Sequence, residues 1–203
     1  MLKALFKNCG KPQGVLGKLM LHGMNAGHGT LSEWGLSQIR IPAGANVLDI
    51  GCGGGANLLR LAKLAARGTV CGIDISECSL ECSRKKVREY IAEGRCQVKY
   101  GSAEEIPFSD GFFDVATAFE TVYFWKDMAA ALREVRRVLR EDGLFMVVND
   151  QSDAQNNCWT GIVEGMTVRG GDELRALFEE AGFIGTEVIS EDDGRLCVIG
   201  RSK

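Results

Sequence analysis

The sequence predicts an α/β fold, a Rossmann-like seven-stranded sheet, mostly parallel with a C-terminal antiparallel hairpin strand and helices on both faces. Three observations carry this. From Asn46 onward, short apolar runs alternate with amphipathic stretches, the pattern of β–α units that build a parallel sheet. A glycine-rich turn, residues 51–55, lies where the first apolar run gives way to the first helical stretch. The last two apolar runs are joined through Glu191-Asp192-Asp193-Gly194, too short for a crossover, so they pair antiparallel.

Taken in order, residues 46–50 form the first strand and 56–66 a helix, with Gly68 expected as its left-handed cap. Residues 69–73 are a second strand. Ser76 caps the next helix, which runs to about Ile91 before a stop at Gly94. Residues 96–100 and 113–118 are the third and fourth strands. After Asp127, the positions Met128, Ala131, Leu132, Val135, Val138 and Leu139 fall on one helical face, and Gly143 ends the helix. Residues 144–148 form strand five. The polar stretch 149–161 is longer than a connector needs and reads as a lid or wall over a site. Leu174, Leu177, Phe178 and Ala181 mark a last helix, followed by strands at 184–189 and 196–200. Residues 1–45 are expected to be a helical lead-in or cap, and 46–203 one domain.

The bulk composition narrows the partners. The chain has 203 residues, 45% hydrophobic and 25% charged, with a net charge of −3. Such a balance provides no basic footprint for nucleic acid. No apolar run reaches the roughly 18 residues that span a bilayer, and the broken N-terminal apolar stretch does not fit a signal peptide, so a cytoplasmic protein is expected. The eight cysteines form no CxxC pair and the only histidines are His22 and His28, so no metal site is expected and the thiols are read as small, reduced apolar residues.

The chemistry concentrates around the glycine turn. Glycines there let a ligand approach the backbone, and the helix N-terminus supplies unpaired N–H groups. Asp74 ends the second strand, 19 positions after Gly55, where a carboxylate can accept both hydroxyls of a ribose. Gly51, Gly53 and Ala56 also satisfy a dinucleotide pattern. Against a nicotinamide-dependent oxidoreductase stand Asp49 beneath the turn, the lack of a further domain for a hydride acceptor, and Tyr123 and Lys126 without a serine partner. An acid beneath the turn suits a cationic ligand.

The segments VLDIGCGGG, GIDIS, GSAEEIPFSDGFFDVA and LREVRRVLREDGLFMVV, with the terminal EEAGF, resemble the class I S-adenosylmethionine-dependent methyltransferases, in their small-molecule, type 11-like branch. The resemblance implies S-adenosyl-L-methionine as cofactor. Asp49, Gly51, Cys52, Gly53 and Gly55 would cradle its methionine and ribose portions, Asp74 would bind the ribose, Ile75 would lie against adenine, and Ala103 and Glu104 would line the far side. Ser102 stands where the family often has an aspartate facing the adenine amine. Phe119 and the loop after it would face the transferred methyl, with Tyr123 divided between site and core and Phe124 and Trp125 expected to pack. Asn25, His28 and Trp34 lie in a region that closes over the cofactor in relatives. In-line transfer needs alignment above all; if a base is used, His28, Glu120, Tyr123 and Asp150 are the candidates. In the polar stretch, Asn149 and Asp150 would sit nearest the methyl, with Trp159, Ile162 and Met166 as apolar wall. The acceptor is expected to be a small molecule, since the Asn/Asp-Pro-Pro-aromatic motif of DNA-adenine enzymes is replaced here by Phe119-Glu120-Thr121-Val122. A cofactor-binding protein of the same fold without transfer activity is the other reading.

Overall fold

The computed structural model describes residues 10–14, 17, 29–153 and 160–203. The elements run α1 (Gly29–Ser37), β1 (Val47–Ile50), α2 (Ala56–Leu64), β2 (Val70–Asp74), α3 (Glu77–Lys86), α4 (Arg88–Ala92), β3 (Cys96–Tyr100), β4 (Phe113–Phe119), a one-turn 3₁₀ helix (Val122–Phe124), α5 (Met128–Val138), β5 (Leu139–Asn149), α6 (Gly171–Glu180), β6 (Ile184–Ser190) and β7 (Leu196–Arg201). The strands form a seven-stranded sheet in the order β3-β2-β1-β4-β5-β7-β6. β7 is antiparallel to both neighbours, and the β1–β2, β2–β3, β1–β4 and β4–β5 pairs are parallel. The predicted fold class is the observed one.

The central strands read as nearly continuous apolar runs because both of their faces are covered. On one face Leu48, Ile73, Ala116 and Phe145 pack against Leu132 and Val135 of α5 and Phe178 of α6. On the other, Val47, Val70 and Val115 meet Leu58 and Leu61 of α2 and Leu80 of α3. Leu31 of α1 closes a third cluster with Phe119, Met146 and Val148. There Gly35 is required by a close approach, since a Cβ would stand 2.6 Å from Val148.

Three boundaries differ from expectation. α2 ends at Leu64 and Gly68 is not left-handed; a Cβ at Gly68 would collide with the Ala45 carbonyl, so close approach is its role. The helix after Ser76 breaks at Val87, whose backbone leaves helical geometry (φ −105°, ψ 22°). Leu139 is the first residue of β5 rather than the last of α5: it pairs with Phe113, and the register then shifts so that Leu144 meets Val115. Helical periodicity alone cannot separate a buried last-turn residue from a buried first strand residue.

Candidate active site

A cavity of about 420 Å³ opens at the carboxyl ends of β1, β2 and β4. Neighbouring β1 and β4 are where the strand order reverses, the place where open α/β sheets bind ligands. Its volume is within the range of small-molecule sites, about 300–1,000 Å³.

The glycine turn forms its floor. Gly51 and Cys52 both donate their N–H to the Ile73 carbonyl (2.9 Å each), folding the turn over the end of β2. Gly51 is left-handed (φ 72°), and a Cβ there would collide with Thr121. Gly55, also left-handed (φ 77°), faces α3: its Cβ would meet Ser83 Cα at 2.8 Å. It therefore serves helix packing and lies outside the cavity wall, unlike Asp49, Gly51, Cys52, Gly53, Asp74, Ile75, Ser102, Ala103, Glu104 and Phe119, which line it. α2 starts without a side-chain cap, and Ala56 and Asn57 of its first turn face the cavity, leaving N–H groups for a carboxylate.

Two acids underlie the turn, Asp49 buried and Asp74 half-buried. Asp74 is held from both sides: Oδ2 accepts the Gly53 N–H (2.9 Å) and Oδ1 the Ser76 N–H (2.8 Å). Asp49 is almost fully enclosed, and Oδ1 accepts the Thr117 hydroxyl (2.9 Å). Burial pushes its carboxyl up to about 7, against the Thr117 hydrogen bond, and the Asp74 charge adds to the rise. Asp74 is likewise raised by burial, opposed by the Ser76 and Gly53 N–H groups. Buried carboxylates bordering a ligand cavity favour a ligand that brings positive charge.

The opposite wall follows β4. Glu120 adopts a left-handed backbone (φ 58°), uncommon for a side chain of its size, and lines the cavity. Oε1 accepts the Asp150 N–H and the Tyr123 hydroxyl (3.0 Å). Burial lifts Glu120 up to about 7, opposed by these two donors. The 3₁₀ turn has three residues per turn. It therefore brings Thr121 and Phe124 to the same side, with Trp125 beyond them, and turns Val122 and Tyr123 inward. Phe124 and Trp125, expected to pack, line the cavity, and Tyr123, left open between site and core, does not. Trp125 serves both roles, stacking on Phe145 at 6.3 Å. Burial, reinforced by the Glu120 charge, pushes the Tyr123 phenol well above its ordinary range.

Other candidates separate cleanly. Asp150 is outside the cavity wall and contributes its backbone N–H. Asn149 is fully buried in β5 rather than at the cavity. Ile162 is exposed, and neither it nor Met166 reaches the cavity. Trp34 donates to Glu191 (3.2 Å), tying α1 to the C-terminal hairpin instead of facing the site. His22, Asn25, His28 and Trp159 lie outside the described residues, as does the middle of the polar stretch. Glu104 accepts the Lys126 N–H (3.0 Å), joining the walls after β3 and β4.

Sequence reasoning missed Arg60, Lys126, Leu31, Ser32 and the segment Gly10–Pro12, all in the cavity wall. Arg60 could have been found, being one helical turn beyond Ala56 on the helix that leaves the glycine turn. The other contributions come from packing between distant segments.

A methyltransferase-domain family model matches residues 48–147, which contain the turn, both acids and Glu120. This chain belongs to the class I S-adenosylmethionine-dependent methyltransferases. Among relatives of this chain, an O-methyltransferase of Pyrenophora dematioidea is 29% identical over 155 residues, covering 73% of this chain and 57% of that protein. A demethylmenaquinone methyltransferase of Lactiplantibacillus plantarum is 36% identical over 116 residues, covering 55% and 49%. The chain spans about half the length of these curated relatives. A solved S-adenosylmethionine-dependent methyltransferase from Aquifex aeolicus shares the fold, with a TM-score of 0.76 at 18% identity over 92% of this chain and 98% of that one. S-adenosylmethionine is the cofactor of the family, and the donor set fits it: paired acids for a cation, an uncapped helix start for a carboxylate, and a Cβ-free turn between them.

Proposed function

We propose that this chain transfers the methyl group of S-adenosylmethionine to a small molecule. The observation that carries this reading is the cavity at the β1–β4 switch point, bordered by the glycine turn, Asp49 and Asp74 within the family-matched segment. Asp74, fixed by two backbone N–H groups, takes the ribose hydroxyls; Ile75 and Ala103 flank the adenine, with Ser102 at its edge. Cys52, Gly53 and the α2 start hold the methionine portion, and Asp49 balances its positive charge. Phe119, Phe124 and Trp125 present apolar and aromatic surface to the reacting end, where ring faces attract a sulfonium by about 0.5–2 kcal/mol.

The bound cofactor supplies an activated methyl, and the protein supplies alignment of the acceptor with it. Residues 1–45 serve as the cap: Gly10–Pro12 and Leu31 of α1 already border the cavity. The acidic balance and a relative acting on demethylmenaquinone support a small-molecule acceptor over nucleic acid. Among the described residues no helix is long and apolar enough to cross a membrane, and a cytoplasmic location is proposed with it.

Calorimetry with S-adenosylmethionine, followed by transfer of a labelled methyl to a panel of small molecules, tests the reading. Cofactor binding and label in a small product are expected. Binding without transfer to any acceptor favours the fold-sharing, non-transferring alternative, and preferential binding of reduced nicotinamide cofactor overturns the assignment.

A further inference from the structure

We infer that Glu120 is the general base of this site and that the methyl acceptor presents a neutral hydroxyl, of the phenol or enol type. The inference rests on the transferase reading and deepens it.

Four candidate bases were open from the sequence, and geometry separates the three described ones. Glu120 alone of these lines the cavity, on the β4 side; Tyr123 points inward and Asp150 offers a backbone N–H. Asp49 and Asp74 line the same cavity, but their carboxylates are held by Thr117 and by the turn N–H groups on the cofactor side. Glu120 also sits in a backbone conformation that costs energy for a residue with a side chain, a cost the Asp150 and Tyr123 contacts hold in place. The wall around it is Phe119, Phe124 and Trp125, suited to a flat apolar ring carrying the hydroxyl.

The Tyr123 hydroxyl gives this carboxylate a way to change protonation state without losing partners. It lies 3.0 Å from Glu120 Oε1 and 3.1 Å from the Gln151 carbonyl, and accepts the Gln151 N–H at 2.9 Å. Its single proton can point to Glu120 when that group is ionised and to Gln151 when Glu120 is protonated. In the step itself the acceptor oxygen bonds to the methyl carbon as the carbon–sulfur bond breaks. The bonding pair returns to sulfur, leaving a neutral thioether, and the hydroxyl proton passes to the Glu120 carboxylate and afterwards to water. Charge balances, since one sulfonium and one carboxylate are both neutralised. Among the described residues, Tyr123 on the 3₁₀ turn and Asp150 beyond β5 bear on this titration, and Asp49, Asp74, Arg60 and Lys126 share the cavity.

The test uses the full chain, S-adenosylmethionine with a labelled methyl, and substituted phenols and catechols whose own pKa values lie above and below the assay pH. S-adenosylmethionine binding is measured first on each variant; its absence in the unsubstituted protein refutes the transferase reading instead of this one. With Glu120→Gln, kcat on un-ionised phenols falls about 100-fold or more while KM and cofactor affinity change little, and pre-ionised phenols are affected far less. The acid limb of the kcat profile, expected near pH 7 in the unsubstituted protein, disappears. Tyr123→Phe removes a donor to the carboxylate form and moves that limb to higher pH, a readout that survives even if Glu120→Gln fails to fold. The inference is overturned by equal losses on ionised and un-ionised acceptors, by an acid limb that Tyr123→Phe leaves in place, or by a cofactor-binding protein that methylates no hydroxyl in the panel.

Discussion

The two sides of the cavity hold their carboxylates by different means. On the β1–β2 side Asp74 takes N–H groups from Gly53 and Ser76, and Asp49 takes the hydroxyl of Thr117 on the adjoining strand. On the β4–β5 side Glu120 is held by Asp150 and Tyr123, and Tyr123 in turn by Gln151. The first arrangement is a rigid cradle made largely by one short turn. The second joins two strand ends through side chains that can exchange donors. On the proposed reading, the cradle binds the same ligand in every cycle, and the far side takes up a proton and adapts to an acceptor.

If the cradle is rigid, it should be the most sensitive part of the molecule. Gly51→Val combines a left-handed backbone with a collision against Thr121, so cofactor binding is expected to fall below detection while the sheet stays folded. A thermal melt beside a calorimetric titration checks this, and measurable affinity in a folded variant would show that the turn can yield. The next effect in size is Asp74→Ala. Two ribose contacts to a charged group give an expected loss of about 1.5–3 kcal/mol in S-adenosylmethionine affinity. Gly53 and Ser76 lose their acceptor too, so the loss should exceed that for the adenosine fragment alone.

Asp49 sharpens the comparison through pH. Its carboxyl is raised to about 7, so below that pH it is mostly neutral and contributes little to binding a cation. S-adenosylmethionine affinity should therefore tighten as pH rises from 6 toward 7, by at most about tenfold per pH unit for one linked proton, and level off above. The sign for stability is opposite. The unfolded chain ionises Asp49 at its ordinary value, so the ligand-free fold loses stability from this group as pH rises from about 4 to 7. Asp49→Asn should flatten both dependences. An unchanged affinity profile in that variant would transfer the linkage to Glu120, whose carboxyl is raised similarly.

The same contrast explains what was legible in the sequence. The cradle is consecutive residues, Asp49 to Gly55, with an acid one strand later, so its chemistry shows in a linear reading. The Glu120 cluster joins residues 28 and 30 positions apart, set by the β4–β5 register. That register includes a shift between Phe113 and Val115 and a strand starting at Leu139, neither visible as periodicity. A linear reading packs Phe124 and leaves Tyr123 open for a related reason: a single 3₁₀ turn decides which ring faces the cavity, and one turn leaves no repeating pattern. Trp34 looked like a site residue and instead bonds Glu191, a contact across 157 positions.

The smallest effect compares two helix caps, one on each side of the cavity. Ser76 accepts the Ser79 N–H (3.2 Å) at the start of α3 and donates to the Pro12 carbonyl (2.5 Å); it is buried. Asp127 accepts the Ala130 N–H (2.9 Å) at the start of α5, in an exposed position. Loss of a cap costs about 0.5–2 kcal/mol, most where the abandoned donor cannot reach water. Asp127→Ala should stand near the lower end in a denaturant titration, because water replaces the carboxylate. Ser76→Ala should stand near the upper end, because both the Ser79 N–H and the Pro12 carbonyl lose a buried partner. It should also weaken S-adenosylmethionine binding modestly, since Pro12 and its neighbours border the cavity and Ser76, beside Cys78, ties them to α3. Asp127→Ala should leave that affinity alone. If the two substitutions cost the same and neither touches binding, the segment before α1 is no part of the cradle, and the cofactor side is built from the turn and the two acids by themselves.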